Sequence, residues 1–266
     1  MLFVFLAVLL SCSFSFAASV PSKGTAAEKK SVKKSIRKRK APAVKTYYDA
    51  KFVKGSWKMS DWEMVRSWRF DHDAEFLQLA NCIQNRVPEG VSDQELQGKK
   101  GAEGYAIMLL KQKFSGNAVI SCTMEFDYRM APGIIISTEP VKYGKDKLEL
   151  REHFEVILYD DGLNLWHHYF EKGKPGSKDP RVKKSGVEQK WRKNCYLLEK
   201  KFYKPKTRYT LTVSVKNTAG GAQMEISCGG RVIGCYLPGM FKGQYRIGLV
   251  GCEGRNRFYD FKVTNR

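Results

Sequence analysis

Apolar and polar residues alternate with a period of two along much of the chain, the pattern of strands that bury one face. The clearest case is Ala118 to Met130. Ala118, Ile120, Cys122, Met124, Phe126, Tyr128 and Met130 fall on one face, and Val119, Ser121, Thr123, Glu125, Asp127 and Arg129 on the other. The last stretch, Tyr209 to Val263, reads as a run of strands closing one sheet system. In it Tyr209, Leu211, Val213 and Val215 alternate with Thr210, Thr212, Ser214 and Lys216. Met224 to Cys228 and Arg231 to Cys235 then flank Gly229-Gly230, which supplies the positive φ values of a two-residue hairpin turn. That turn sets Cys228 opposite Arg231 and Cys235 opposite Met224, so these two cysteines share a face without meeting. Tyr245 to Val250 follows, and Tyr259, Phe261 and Val263 alternate with polar neighbours at the end.

Further strands are predicted at Phe76 to Ala80, Tyr105 to Leu110, His153 to Tyr159 and Cys195 to Phe202. Asp160-Asp161-Gly162 reads as a turn. After it Trp166 and His168 share a face with Phe170, while His167 shares the other with Tyr169. Adjacent histidines on a strand point to opposite sides, so His167 and His168 do not jointly ligate one ion. Asn85 to Gly104 and Lys172 to Lys193 read as polar loops, and Trp57, Trp62 and Trp68 either seal a core or stack on sugars. The pattern predicts an all-β fold, a two-sheet antiparallel sandwich of about 12 strands.

Composition adds two segments ahead of that sandwich. Met1 to Leu10 is apolar and Ser15-Phe16-Ala17 offers small residues for cleavage, so residues 1–17 read as a secretory signal peptide. Leu9-Leu10-Ser11-Cys12 is similar to a lipobox, which allows a lipid-anchored form through Cys12. Residues 18–46 read as a basic disordered linker, because they lack the large apolar side chains that offset ordering entropy. The sandwich domain is then 47–266. The formal net charge is +20. Ten Lys/Arg face only Glu28 between Lys23 and Lys45, and the rest of the chain is still basic. An exported basic protein points to acidic glycans or an anionic cell surface rather than to nucleic acid. Cys82, Cys122, Cys195, Cys228, Cys235 and Cys252 permit up to three disulfides or stay free, and no Cys-x-x-Cys spacing suggests zinc.

The order of the closing elements carries a resemblance. The Tyr-x-Leu-x-Val strand, the Gly229-Gly230 hairpin, Gly248-Leu249 and Arg257-Phe258-Tyr259-Asp260-Phe261-Lys262-Val263 resemble the end of concanavalin A-like jelly-roll domains, over roughly Trp57 to Val263. That superfamily includes lectins, laminin-G-like modules, glucanases, polysaccharide lyases and bacterial 3-keto-disaccharide hydrolase-like domains, the last being nearest in pattern. The resemblance implies saccharide binding or glycosidic cleavage on a concave sheet face. Glu125-Phe126-Asp127 is similar to the start of the glucanase Glu-x-Asp-x-Glu strand. Alternate strand residues lie about 7 Å apart, a spacing used in glycoside hydrolysis. Arg129 replaces the third carboxylate; it cannot donate a proton but can clamp a carboxylate or sulfate. Lys147 to Glu152 looks like the Arg-x-Glu-Leu-Arg strand of alginate lyases, without the Gln-x-His strand that those enzymes also need.

The expected site therefore draws acid and base from Glu125, Asp127, Glu152 and His168, and ligand contacts from Arg129, Arg151 and Trp166. No cofactor or metal is expected, and the partner is a poly- or oligosaccharide, acidic by charge. The basic linker is expected to touch an anionic surface.

Overall fold

The computed structural model describes residues 44–66, 75–87, 90, 105–128, 131–143, 145, 147–172, 189–239, 241, 243–252 and 254–265. The expected signal peptide, most of the basic linker, Trp68 and Arg129 lie outside these residues. The strands are β1 (Thr46–Lys51), β2 (Trp62–Arg66), β3 (Phe76–Gln78), β4 (Ile83–Asn85), β5 (Ala106–Leu110) and β6 (Ala118–Phe126). Next come β7 (Pro132–Ser137), β8 (Val141–Tyr143), β9 (Lys147–Glu149), β10 (His153–Tyr159), β11 (Gly162–Lys172) and β12 (Gln189–Lys200). The chain ends with β13 (Tyr209–Thr218), β14 (Gly221–Cys228), β15 (Val232–Pro238), β16 (Arg246–Gly251), β17 (Asn256–Phe258) and β18 (Asp260–Thr264).

They form a two-sheet jelly-roll sandwich, antiparallel except where β2 pairs with β9. The first sheet runs β15-β14-β13-β6-β17-β4-β3, with β18 on β6 and β1 on β18. The second runs β12-β11-β10-β7-β16-β5-β2-β9-β8. The closing stretch is divided between them: β13, β14, β15, β17 and β18 belong to the first sheet and β16 to the second. Alternation fixes which face of a strand is wet but not which sheet it joins. The Gly-Gly hairpin has the expected register, with Met224 opposite Cys235. None of the six cysteines from Cys82 to Cys252 forms a disulfide. The segment read as a loop from Lys172 is partly strand, since Lys172 pairs with Gln189 across β11 and β12.

Between the sheets lies one apolar core. Ile120, Met124, Leu211 and Val213 enter from the first sheet and Ile136, Phe154, Val156 and Leu158 from the second. Each such side chain contributes about 2 kcal/mol by leaving water. An aromatic cluster seals one end: Trp62 packs on Tyr48, Phe52 and Phe261 at centroid distances of 5.6, 6.1 and 5.3 Å. Trp62 Nε1 donates to Tyr48 Oη at 3.0 Å, so this tryptophan belongs to the core.

The second sheet is buried on its outer face too. Val65, Tyr105, Ile107, Leu109, Ile135, Ile157 and Val250 form a second apolar cluster there. Strands buried on both sides carry no alternation, and every residue of β5, β7 and β16 is buried. This is why β7, with Ile134-Ile135-Ile136, escapes a search for period two. Arg246 is buried within β16 and is compensated three ways: it donates to Leu110 O at 2.6 Å, to Glu63 at 2.8 Å and to Glu139 at 3.2 Å.

Gly248 sits where β16 crowds β5, and a Cβ there would meet Met108 O at 1.9 Å and Leu109 Cα at 2.8 Å. Gly248→Ala is expected to destabilise the protein by about 3 kcal/mol through overpacking. Trp62→Ala is expected to cost about 4 kcal/mol through the cavity it leaves. Urea unfolding followed by intrinsic fluorescence or circular dichroism measures both; wild-type midpoints would contradict these packing assignments.

Candidate functional site

Strands β10 and β11 form a hairpin around the two-residue loop Asp160-Asp161, with Tyr159 opposite Gly162. That register places His153 opposite His168 and Glu155 opposite Trp166. Directly opposed side chains share a face, here the outer face of the second sheet. The His153 and His168 rings stack at 4.6 Å with an 8° interplanar angle. Both turn toward Glu155: His153 Nε2 lies 3.2 Å from Oε1 and His168 Nε2 3.5 Å from Oε2. Tyr105 Oη donates to Oε1 of the same carboxylate.

All three groups are almost wholly inaccessible, with side-chain exposures of 2% for His153 and 0% for Glu155 and His168. Burial alone would push the Glu155 carboxyl up. Attraction to His168 and the hydrogen bond with His153 outweigh it and hold the group well below the usual carboxylate range. Burial pushes His153 down, and its bond to Glu155 offsets only part of that. Glu155 is therefore a buried carboxylate held ionised. Among the described residues, His153, Glu155 and His168 are the group able to hold a metal ion, their donor atoms lying within 4.8 Å of one another.

Next to this group the face becomes partly open. The half-buried Trp166 ring stands 5.9 Å from His168 and stacks with Tyr159 at 6.3 Å. The exposed Lys193, on β12, carries its Nζ 4.5 Å from the Trp166 ring centroid. Aromatic surface, an ammonium and hydrogen-bonding groups thus occupy adjacent strands.

The sequence-predicted residues fall in separate places. Trp166 and His168 are together on this face, as the alternation implies. Glu125 and Asp127 are on the first sheet, where Arg257 of β17 holds both: Nη1 contacts Glu125 Oε1 at 3.0 Å and Nη2 contacts Asp127 Oδ2 at 2.9 Å. Tyr259 Oη also donates to Glu125 at 2.9 Å, and the Arg208 guanidinium covers the Tyr259 ring at 3.7 Å. The pairing with Asp127 raises the Arg257 pKa further above its ordinary value. Clasped this way, the two carboxylates tie β6 to β17.

Glu152 pairs with His167 at 2.9 Å on the other side of β10 and β11. There, with Phe154, Leu165, Tyr196, Cys235 and Leu237, the pair lines a cavity of about 480 Å³ at the edge of the sandwich. Glu152 and His168 therefore lie on opposite faces of one hairpin. Arg151 is half-buried immediately before β10. The four expected acid/base groups do not converge, because strand alternation and sheet assignment distribute them over three locations.

Sequence reasoning missed His153, Glu155 and Arg257. The first two were legible: with Asp160-Asp161 taken as a two-residue loop, counting back along the hairpin sets His153 against His168 and Glu155 against Trp166. Arg257 had no local signal, since its partner Asp127 is 130 positions away.

No family model matches the chain, and no curated protein matches it in sequence. Solved structures do resemble it. A kappa-carrageenase from Pseudoalteromonas carrageenovora, in complex with an oligotetrasaccharide of kappa-carrageenan, superposes with a TM-score of 0.51 at 9% identity, covering 88% of this chain and 99% of that one. Porphyranase B from Zobellia galactanivorans superposes with a TM-score of 0.50 at 11% identity, covering 84% and 92%. The likeness is one of fold, a two-sheet jelly-roll sandwich.

Proposed function

We propose that the protein is an exported saccharide-binding protein that takes an acidic poly- or oligosaccharide on the outer face of its second sheet, with a sugar ring stacked on Trp166. The observation that carries this reading is the half-buried Trp166 ring, flanked by Tyr159 and approached by the Lys193 ammonium at 4.5 Å. An aromatic face presents apolar surface to the C–H groups of a sugar at little entropic cost. An adjacent ammonium attracts a carboxylate or sulfate on that sugar. Arg151, just before β10, is a further candidate cation for the same ligand. The net charge of +20 favours an acidic glycan, and the solved carrageenase of like fold holds a carrageenan oligosaccharide. In this reading residues 1–17 direct export, with Cys12 as a possible lipid attachment point, and the basic linker rests on an anionic cell surface.

The catalytic alternative is a glycoside hydrolase of the 3-keto-disaccharide hydrolase-like type. It needs an acid and a base on one face: Glu125 and Asp127 share one but are both clasped by Arg257, and Glu152 and His168 stand on two others. A non-catalytic cell-envelope module predicts no saccharide selectivity at all.

A glycan array probed with the full chain, at low and physiological salt, distinguishes these readings, with product release scored for each bound glycan. Binding to acidic glycans is expected to persist in salt and to weaken about 30-fold in Trp166→Ala, as for a central aromatic anchor. Lys193→Ala should lower affinity for charged glycans selectively. Wild-type affinity in Trp166→Ala would overturn the assignment, and released product would restore the hydrolase.

Arg257→Ala provides the contrast. It is expected to leave saccharide affinity unchanged while lowering stability by about 2 kcal/mol, because two part-buried carboxylates lose their donor. Urea unfolding measures the second effect; loss of binding in a folded Arg257→Ala protein would return the site to Glu125 and Asp127.

A further inference from the structure

Glu155, His153 and His168 pose a problem that the saccharide reading does not use. A carboxylate with no exposure sits at the middle of a sheet, with His153 Nε2 3.2 Å from its Oε1 and His168 Nε2 3.5 Å from its Oε2. Isolated buried charge is costly, so it is met by a paired charge or by a metal ion. Glu155 Oε2, the oxygen that faces His168, is buried and accepts no hydrogen bond among the described residues. A buried polar atom left this way marks a place where something other than the polypeptide supplies a bond.

We propose that His153, Glu155 and His168 form a binding site for a first-row divalent metal ion such as zinc. Two imidazoles and one carboxylate are a donor set suited to these ions. The groups lie close enough to share an ion: their donor atoms fall within 4.8 Å of one another, with His153 3.2 Å from Glu155 Oε1 and His168 3.5 Å from Oε2. The hairpin register holds the two histidines side by side, so the site is set by backbone pairing rather than by a mobile loop. Tyr105 Oη, bonded to Glu155, anchors the carboxylate from β5's side as an outer group orienting a ligand does. His167, one residue away, faces the opposite side and takes no part. The proposal stands on these groups alone and does not rest on saccharide binding.

Cobalt(II) tests it, because its visible spectrum separates nitrogen and oxygen coordination from binding by the chain's thiols. The full chain, reduced and freed of metal by a chelator, is titrated with Co²⁺. The expected result is d–d absorption that saturates at one equivalent, has no thiolate charge-transfer band, and is displaced by Zn²⁺. His153→Asn and His168→Asn should weaken binding at least tenfold, and His167→Asn should not. A second reading uses the wild-type protein only: its thermal midpoint should rise with Zn²⁺ concentration as for one site on the folded state. Absence of a saturable spectrum, a thiolate-type spectrum, or equal binding by folded His153→Asn and His168→Asn proteins would overturn the site, as would an unchanged midpoint in zinc.

Discussion

The middle strands of the second sheet are buried on both faces, and this constraint governs the rest of the molecule. Toward the first sheet they meet the shared core through Ile134, Ile136, Val156 and Ile247. Away from it they meet the outer cluster around Ile135, Ile157 and Val250. A polar group placed in such strands has no water to fall back on and must find its partners in the protein. Two do so in different ways. Arg246 is surrounded by a carbonyl and two glutamates. Glu155 is met by Tyr105, His153 and His168. The first arrangement is a closed ion-pair cluster that joins β16 to β2 and to the segment after β7. The second gathers three potential ligand groups at one point beside a half-buried tryptophan.

This contrast explains why chemistry concentrates on one hairpin. On the first sheet the outer face is wet, and its carboxylates Glu125 and Asp127 are neutralised by Arg257 in ordinary cross-strand fashion. On the second sheet, burial removes the solvent that would otherwise level the properties of Glu155 and His153. A carboxylate held ionised and an imidazole held neutral are both in the state from which they bind cations or accept protons. The basic charge of the chain is separate from this chemistry. It acts at longer range, and it sets which ligands approach rather than how they are held.

Much of the fold was legible because alternation is a local signal. β6, β10, β13 and the Gly229-Gly230 hairpin follow from residue order alone, and their sum implies a two-sheet sandwich. β7 was not legible, since Ile134 to Ile136 is apolar on both faces and carries no period. The site was half legible. Trp166 and His168 share a face by counting, and His153 and Glu155 join them once Asp160-Asp161 is taken as the loop, a step that needs only arithmetic along the hairpin. Glu125 and Asp127 looked catalytic because a strand pattern does not reveal the sheet it enters or the arginine that will face it from β17. That information is topological and resides in contacts between distant segments.

The central claim is that the outer face of the second sheet, at β10, β11 and β12, is where this protein meets its ligand. Amide chemical-shift mapping by nuclear magnetic resonance, during titration of the isotope-labelled full chain with an acidic oligosaccharide, tests it most directly. The account predicts that the largest shifts cluster at Glu155, Trp166, His168 and Lys193. Shifts centred on Glu125, Asp127 and Arg257, or confined to the basic segment before β1, would contradict it.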